Sequence, residues 1–475
     1  MKFSVITITS AILLSSNNNG GVNAFSVAPK TKKYGLHVLA MPTAISTNND
    51  SARDADINNT LSKVLRPKTE KTADTKISDT TRIGNTVVPS IGIGTISWSS
   101  DSLTRLENLE LQSLVNTACR ENAAFFDTAE RYGSRLKTAL GLGWGETEML
   151  TNKLIERASS ISAQESSSSS SSLSSPDEVS GPLVATKFTP SPWRTTPESV
   201  VEACRLSCER LGVDKIDLYQ LHMPDVVKPL RVFGFAQESL DEVYWEGLAM
   251  CYQQGLVSNV GVSNYGPTLV TQCKQFLNAR GVPLASNQIA YSLLGRGNGA
   301  QETVDKCNEL GVKVLAAFPF AMGILTGKYN SDNLDHDSST MAEDTITSLT
   351  KSQKTNMELR DLNQYAKGGQ GSDIPSGGVA PLILEMESIA KRRNKTVAQV
   401  ALNYCICKGT IPIPGARTQA QLSDNLGAMG WRLTSYEVRS LEEKANMLGF
   451  EFEGAGFKRT SEKFVGYGVE KWTLD

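Results

Sequence analysis

Eight short apolar runs recur along the chain, and this repetition constrains the fold more than any other feature. The runs occupy 91–95, 125–128, 183–188, 218–221, 260–263, 286–290, 312–318 and 411–413. Between most of them lies a stretch with helical apolar period, as at 197–211 and 240–254. Strand and helix alternating about eight times predict a closed parallel sheet surrounded by helices. We therefore expect the α/β class and a (β/α)8 TIM barrel.

Length and composition fit one large domain with polar additions. The chain has 475 residues, 40% apolar content and a net charge of −2, without a basic patch that would indicate nucleic-acid binding. We place the barrel at 81–455 and a tail at 456–475. Two low-complexity insertions, 159–180 and 330–378, are predicted to be disordered because such runs bury too little to offset their ordering entropy. The second insertion could border the active site.

The first 80 residues look like targeting sequence. Lys2, an apolar run at 3–14 and small residues at 22–24 predict a signal peptide over 1–24, too short for a membrane anchor. The stretch 25–80 opens with Phe25 and is rich in Ser, Thr and Asn. It resembles the transit part of the bipartite presequence of algae with complex plastids. We expect a protein of the plastid stroma, with secretion as the alternative.

Four polar residues stand at or just beyond the ends of apolar runs: Asp127, Tyr132, Lys187 and His222. Reducing a carbonyl group by hydride puts negative charge on oxygen, so the site needs a proton donor beside that oxygen. A tyrosine phenol has a reference pKa of about 10. A neighbouring lysine ammonium lowers that pKa, a carboxylate keeps the ammonium charged, and a histidine orients the carbonyl. Alone, Asp127 is more typical of a cap or turn and Tyr132 of turn packing, whereas His222 is a stronger signal as the only one of the three histidines in a predicted core. Together the four residues predict carbonyl reduction.

A second group of residues suits a nicotinamide dinucleotide. Ser263 and Asn264 follow the fifth run and Gln288 ends the sixth, where amides can bond a carboxamide, although Ser-Asn is also a common turn. A Gly-containing turn precedes a helix near Arg417, which predicts an anion site. The remaining members of the predicted cofactor set are Gly94, Thr95, Phe318, Pro319, Lys328, Gly415, Gln421 and Asn425.

From about residue 83 to 448, these motifs resemble the aldo-keto reductases, in particular the plastid-type branch similar to pyridoxal reductases and potassium-channel β subunits. The resemblance implies a barrel of the NADP-dependent oxidoreductase type, with NADPH/NADP+ extended across its C-terminal face. It implies that Asp127, Tyr132, Lys187 and His222 form the catalytic tetrad and that Tyr132 is the proton donor. It also implies that the segment around Arg417 binds the 2′-phosphate and that Lys328 bonds the pyrophosphate.

One departure from the family pattern concerns the face of the nicotinamide. The family usually has an aromatic residue and then a small polar one after the seventh strand, where this chain has Ala317, Phe318 and Pro319. Either Phe318 takes over the stacking or the face is left open. The resemblance implies a small carbonyl substrate and leaves its identity open, because the family accepts pyridoxal, short sugars, dicarbonyls and lipid-derived aldehydes.

Two other functions remain open from the sequence. The first is a cofactor-sensing regulatory subunit that keeps the tetrad but turns over slowly. The second is a lyase or isomerase that uses Lys187 as a Schiff base, which needs a neutral lysine and is therefore opposed by Asp127. No metal site is expected, because none of the eight cysteines has strong zinc spacing. We expect reduced core thiols.

Overall fold

The computed structural model describes residues 79–98, 105–133, 144–166, 179, 181–225, 238–297, 299–328 and 378–448. The predicted signal peptide 1–24, nearly all of the transit-like segment 25–80, the insertion 330–377 and the tail 456–475 lie outside these ranges. Among the helices in the described ranges, none is both long and apolar enough to cross a membrane.

Eight parallel strands form one sheet and follow each other in chain order. They are β3 (Ile93–Gly94), β4 (Phe125–Asp127), β5 (Leu183–Phe188), β6 (Leu218–Leu221), β7 (Val260–Ser263), β8 (Leu284–Ala290), β9 (Lys313–Ala317) and β10 (Ile411–Ile413). The last strand returns to the first. Gly92 N–H donates to Pro412 O at 3.0 Å, Gly94 N–H donates to Pro414 O at 2.9 Å, and Gly94 pairs with Gly415. The predicted (β/α)8 barrel is confirmed.

Helices connect the strands and cover the outside of the sheet. They are α1 (Arg105–Arg120), α2 (Glu146–Ser166), α3 (Pro197–Leu211), α4 (Asp241–Gln253), α5 (Pro267–Asn278), α6 (Ala300–Leu310), α7 (Ala380–Arg393), α8 (Val397–Cys407), α9 (Gln419–Leu426) and α10 (Ser435–Asn446). Helix α3 has the bounds that the sequence predicts, because Pro197 occupies its first turn and Gly212 ends it at φ 65°. Helix α2 runs to Ser166, so the start of the predicted disordered insertion 159–180 is helical.

A hairpin that the sequence analysis did not predict precedes the barrel. Strands β1 (Thr80–Ile83) and β2 (Thr86–Pro89) pair antiparallel. Asn259, directly before β7, accepts from Asn85 N–H at 3.0 Å and donates to Thr86 Oγ1 at 2.7 Å. The hairpin therefore lies at the N-terminal ends of the barrel strands, away from the ends that carry the tetrad.

The core contains apolar side chains and most of the cysteine thiols. All eight cysteines are free thiols, and six of them are buried, as the sequence analysis expected. Inside the barrel, Gly261 packs so closely that an added Cβ would overlap with Ser286 Oγ. Ser286 in turn donates to Gln220 Oε1 at 3.1 Å. The barrel interior is thus filled with side chains, so a substrate site is expected at the rim of the barrel.

Candidate active site

The four tetrad residues come together at the C-terminal rim of the barrel. Asp127 is the last residue of β4, Lys187 is the penultimate residue of β5, and His222 directly follows β6. Parallel pairing of these neighbouring strands brings their carboxyl ends to the same face. Tyr132 reaches the group from the turn after β4, where its N–H donates to Ala129 O at 3.0 Å.

Lys187 is fully buried at the centre of this group. Its Nζ donates to Asp127 Oδ2 at 2.7 Å, to Thr128 O at 2.8 Å and to Tyr132 Oη at 3.4 Å. Burial acts to lower the pKa of Lys187, but the charge of Asp127 and the hydrogen bonds to Asp127 and Tyr132 raise it above its ordinary value. The lysine is therefore held as an ammonium ion, which argues against Schiff-base chemistry.

Asp127 is fixed from two sides. Gln288 Nε2 donates to Asp127 Oδ1 at 2.9 Å, while both the N–H and the hydroxyl of Thr95 donate to Asp127 O at 3.0 Å. From the sequence, Thr95 and Gln288 are predicted to bind the cofactor. In the structure Thr95 is fully buried and Gln288 lies two residues before the end of β8, and both hold the carboxylate residue that holds Lys187.

The expectation for the Tyr132 pKa needs correction. The lysine charge acts to lower the pKa of this phenol, but burial raises it more, and the net pKa lies above the ordinary value. The physical reason is that burial has the largest effect and the charge of Asp127 acts in the same direction, against the charge and the 3.4 Å hydrogen bond of Lys187. Without substrate, the phenol thus keeps its proton at neutral pH and is ready to donate it.

His222 is a neutral imidazole beside that phenol. Its ring meets the Tyr132 ring edge to face, with centroids 5.6 Å apart and planes at 77°. Burial, together with the charges of Lys187 and Arg131, lowers the pKa of His222 to about 3. Thr189 Oγ1 lies 3.4 Å from Nδ1. At neutral pH the histidine can donate a hydrogen bond to a carbonyl but has no extra proton to transfer.

A buried ion pair that the sequence analysis missed supports both sides of the site. Glu130, two residues before Tyr132, accepts from Arg194 Nη1 at 2.5 Å and Nη2 at 3.2 Å, and from Thr189 N–H at 2.6 Å. Glu130 is 1% exposed, so this carboxylate depends on its partners. It ties the Tyr132 turn to the residue that contacts His222. The available signal in the sequence was the position of Glu130 between Asp127 and Tyr132 of the predicted tetrad.

The predicted nicotinamide residues brace one another. Ser263 Oγ donates to Gln288 O at 2.8 Å, and Asn264 N–H donates to the same carbonyl at 2.7 Å. Asn264 has φ 64° and its Nδ2 donates to His222 O at 2.9 Å. The left-handed conformation, which asparagine tolerates, lets one amide side chain fix the backbone of His222.

Strand β9 ends at Ala317, and Phe318 begins the turn that follows it. Ala317 is the last residue of the strand, and Phe318 follows at φ 54°, half-buried and packed against the main apolar core. Pro319 is buried and Lys328 is exposed. The Phe318 ring thus contacts the core from the turn after the strand, and Ala317 is the last side chain of the strand itself.

The predicted phosphate segment lies where the barrel closes. Gly415 pairs with Gly94, and Arg417 lies two residues before the first residue of helix α9. Arg417 Nη2 is 2.5 Å from Glu107 Oε1, and its N–H donates to Gln421 Oε1 at 2.8 Å. Asn425, further along α9, is buried. The donor set of this rim, cations at one side and amides at the other, fits the chemistry of a phosphorylated nicotinamide dinucleotide.

Comparison with known proteins gives the class. Residues 90–446 match the Aldo/keto reductase family, and the chain belongs to this family of oxidoreductases. It is 35% identical over 370 residues to "Pyridoxal reductase, chloroplastic" of Arabidopsis thaliana, covering 77% of this chain and 85% of that protein. It is 26% identical over 263 residues to "Probable pyridoxal reductase 2" of Schizosaccharomyces pombe, covering 54% and 68%.

Solved structures agree on the fold. An aldo-keto reductase of Bombyx mori in complex with NADP superimposes with a TM-score of 0.51 at 20% identity, covering 77% of this chain and 92% of that one. A second, complexed with NADPH, gives 0.54 at 19% identity and covers 83% and 94%. The predicted family, barrel and enzyme class are confirmed. The expected cofactor, NADPH/NADP+, agrees with the ligands of these structures.

Proposed function

We propose that this protein reduces an aldehyde or ketone to an alcohol with NADPH and that Tyr132 donates the proton. The observation that carries the proposal is the contact set of Lys187, which reaches Asp127 at 2.7 Å and Tyr132 at 3.4 Å from a fully buried position. The dinucleotide supplies the hydride when it is bound. The protein's own task is to hold the carbonyl oxygen and to protonate it.

The two groups beside the carbonyl have different roles. His222, with a pKa of about 3, is neutral and orients the carbonyl oxygen by a hydrogen bond. Tyr132 keeps its proton because burial raises its pKa. As negative charge develops on the substrate oxygen, the phenol gives up its proton and the Lys187 ammonium stabilises the phenolate left behind. Asp127 keeps that ammonium charged.

The substrate that we propose is a planar aromatic aldehyde of the pyridoxal type. The Arabidopsis relative is named a pyridoxal reductase. On the rim of this chain, Trp193 is 70% exposed and its ring centroid lies 6.4 Å from that of Trp144. Trp144 stacks on the guanidinium of Arg194 at 4.6 Å, and Arg194 pairs with Glu130 beside the Tyr132 turn. An exposed tryptophan backed by a second one beside the catalytic group favours flat substrates.

The test measures NADPH consumption with pyridoxal and with an aliphatic aldehyde as substrates. We expect Tyr132→Phe to lower kcat by roughly two to four orders of magnitude for both substrates, since general acid catalysis has that range. We expect Trp193→Ala to raise KM for pyridoxal alone, with the 70% exposed Tyr436, changed to alanine, as the control. Full activity in Tyr132→Phe would refute the assignment. Cofactor binding without turnover in the wild type would favour the regulatory-subunit function.

We also propose that the protein works in the plastid stroma. The support is the presequence-like composition of 1–80 and the chloroplastic relative from Arabidopsis. Free thiols at all eight cysteines suit a reducing compartment. A fusion of residues 1–80 to a fluorescent protein tests this, and secretion of the fusion would contradict it.

A further inference from the structure

Two hydrogen-bond donors at the start of helix α9 are already occupied by acceptors of the chain itself. The guanidinium of Arg417 donates from Nη2 to Glu107 Oε1 at 2.5 Å. The backbone N–H of Arg417 donates to Gln421 Oε1 at 2.8 Å. Oxygen acceptors, one of them anionic, thus fill positions that the oxygens of a phosphate group would otherwise take. Both of these donors of Arg417 are bound by other residues of the chain.

The position of Glu107 is fixed by the packing of two helices. Glu107 lies in the first turn of α1, and further along α1 Ser113 Oγ donates to Gln419 Oε1 at 2.8 Å. On the other side of the segment, Trp98 Nε1 donates to Ala416 O at 2.7 Å. The Ser113 contact holds α1 against the start of α9, and the Trp98 contact holds the backbone next to Arg417, whether or not Glu107 and Arg417 are paired. Loss of the ion pair would therefore leave the segment in place.

The pair is still accessible to a ligand. The side chains of Arg417 and Glu107 are 31% and 38% exposed. A phosphate monoester carries about −1.5 to −2 charges at neutral pH. Glu107 is also negatively charged and is bound to the same guanidinium. A 2′-phosphate must therefore either displace Glu107 or bind beside it against like-charge repulsion. An adenosine without that phosphate meets neither obstacle.

We propose that Glu107 is an internal competitor for the 2′-phosphate of the dinucleotide and that it reduces the enzyme's preference for NADPH over NADH. This inference rests on the proposed NADPH-dependent function and assigns a specificity-determining role to a residue on α1. Gln421 is a milder competitor, because its amide oxygen is neutral. The pair also keeps a lone guanidinium from facing other anions when the site is empty.

The effect of removing the charge has a definite sign. Glu107→Gln keeps the size of the side chain and an oxygen acceptor but removes the repulsion. Since both partners are about one-third exposed, solvent screens the interaction strongly and the gain is modest. We expect ligands with a 2′-phosphate to bind about 5- to 10-fold more tightly, and ligands without it to bind as before.

The experiment uses the full chain and isothermal titration calorimetry, with adenosine 2′,5′-bisphosphate and adenosine 5′-monophosphate as probes. The matched control is Glu121→Gln, which removes a glutamate just beyond the other end of α1, paired with Arg120 at 3.7 Å. We expect only Glu107→Gln to tighten binding of the bisphosphate. We expect Arg417→Ala to weaken it while leaving the monophosphate unaffected.

Three outcomes would overturn the proposal. Weaker bisphosphate binding by Glu107→Gln would make Glu107 a positioning residue that holds Arg417 ready, and unchanged binding would make the pair irrelevant to the cofactor. Equal binding of the bisphosphate by Arg417→Ala and the wild type would remove Arg417 from the site altogether. Turnover in the Tyr132 experiment does not depend on any of these results, so failure of the reductase function is detected separately.

Discussion

Asp127→Asn should expose how much the tetrad depends on one buried ion pair. Lys187 is fully buried and Asp127 is 4% exposed, so the variant leaves an ammonium ion in the protein interior without its counter-ion. Removing one partner of a buried pair costs about 3–5 kcal/mol of unfolding free energy. We expect a loss of that size at pH 6, measured by urea denaturation.

The pH dependence of this loss follows from the protons bound. In the wild type the folded-state pKa of Lys187 is raised, so its contribution to stability is constant below the unfolded value of about 10.4 and is lost only above it. In the variant, burial acts without the aspartate and lowers the folded-state pKa. The unfolded chain then binds more protons, and the variant gains about 1.4 kcal/mol per pH unit above that lowered pKa. The gap between variant and wild type should therefore narrow as pH rises.

The control removes the lysine. A double variant with Lys187→Met and Asp127→Asn should show no such rise of the unfolding free energy with pH, because neither a buried ammonium nor a buried carboxylate remains. A gap between Asp127→Asn and the wild type that stays constant from about pH 6 to 9.5 would refute the reasoning, since it would mean that the aspartate does not hold the charge on Lys187.

Three further variants test other parts of the structure. Glu437 accepts hydrogen bonds from Arg393 at 2.7 and 3.1 Å, and these bonds lower the pKa of Glu437 to about 2. In urea titrations, Glu437→Gln should therefore lower the unfolding free energy by about 1–2 kcal/mol at pH 7 and by little near pH 2, where the carboxylate is becoming protonated. Gly261→Ala should lower the unfolding free energy by about 1–3 kcal/mol, because the added Cβ overlaps with Ser286 Oγ, and a second change, Ser286→Ala, should restore part of the loss. Equal melting temperatures of Gly261→Ala and the wild type would refute this. Ala317→Tyr should tighten NADP+ about 5-fold in a fluorescence titration if the nicotinamide face is open, and unchanged affinity would mean that it is covered.

The barrel and the places of the tetrad were predictable because both depend on local patterns. Strand and helix periods determine the order of elements, and parallel strands bring their carboxyl ends to one rim whatever their separation in sequence. Asp127, Lys187 and His222 therefore met as expected, although 95 residues separate the first from the last. A polar residue at the end of a buried strand is a signal that one sequence contains.

The contacts of individual donors were not predictable, because they depend on distances between distant segments. Glu107 and Arg417 lie 310 positions apart, and nothing in either neighbourhood indicates the other. The pKa of Tyr132 was predicted with the wrong sign, because the outcome depends on whether burial or a lysine 3.4 Å away has the larger effect. The residue types show that burial and a nearby charge act on the pKa in opposite directions, and the distances and burial in the folded protein decide which effect is larger.

The backbone of the turn after β9 accounts for the unusual position of the aromatic residue at Phe318 rather than at Ala317. Phe318, Ala321 and Met322 all have positive φ, at 54°, 47° and 60°, a conformation that costs a side-chain-bearing residue about 1–2 kcal/mol. Ala321 and Met322 are buried and the Phe318 ring packs on the core, so apolar contacts offset this strain. The same turn that directs Phe318 to the core leaves Ala317 as the last side chain of the strand. An aromatic residue at 317 alone would therefore add a ring to the rim without disturbing the turn, whereas a small residue at Phe318 would retain the strained backbone and lose the packing that stabilises it.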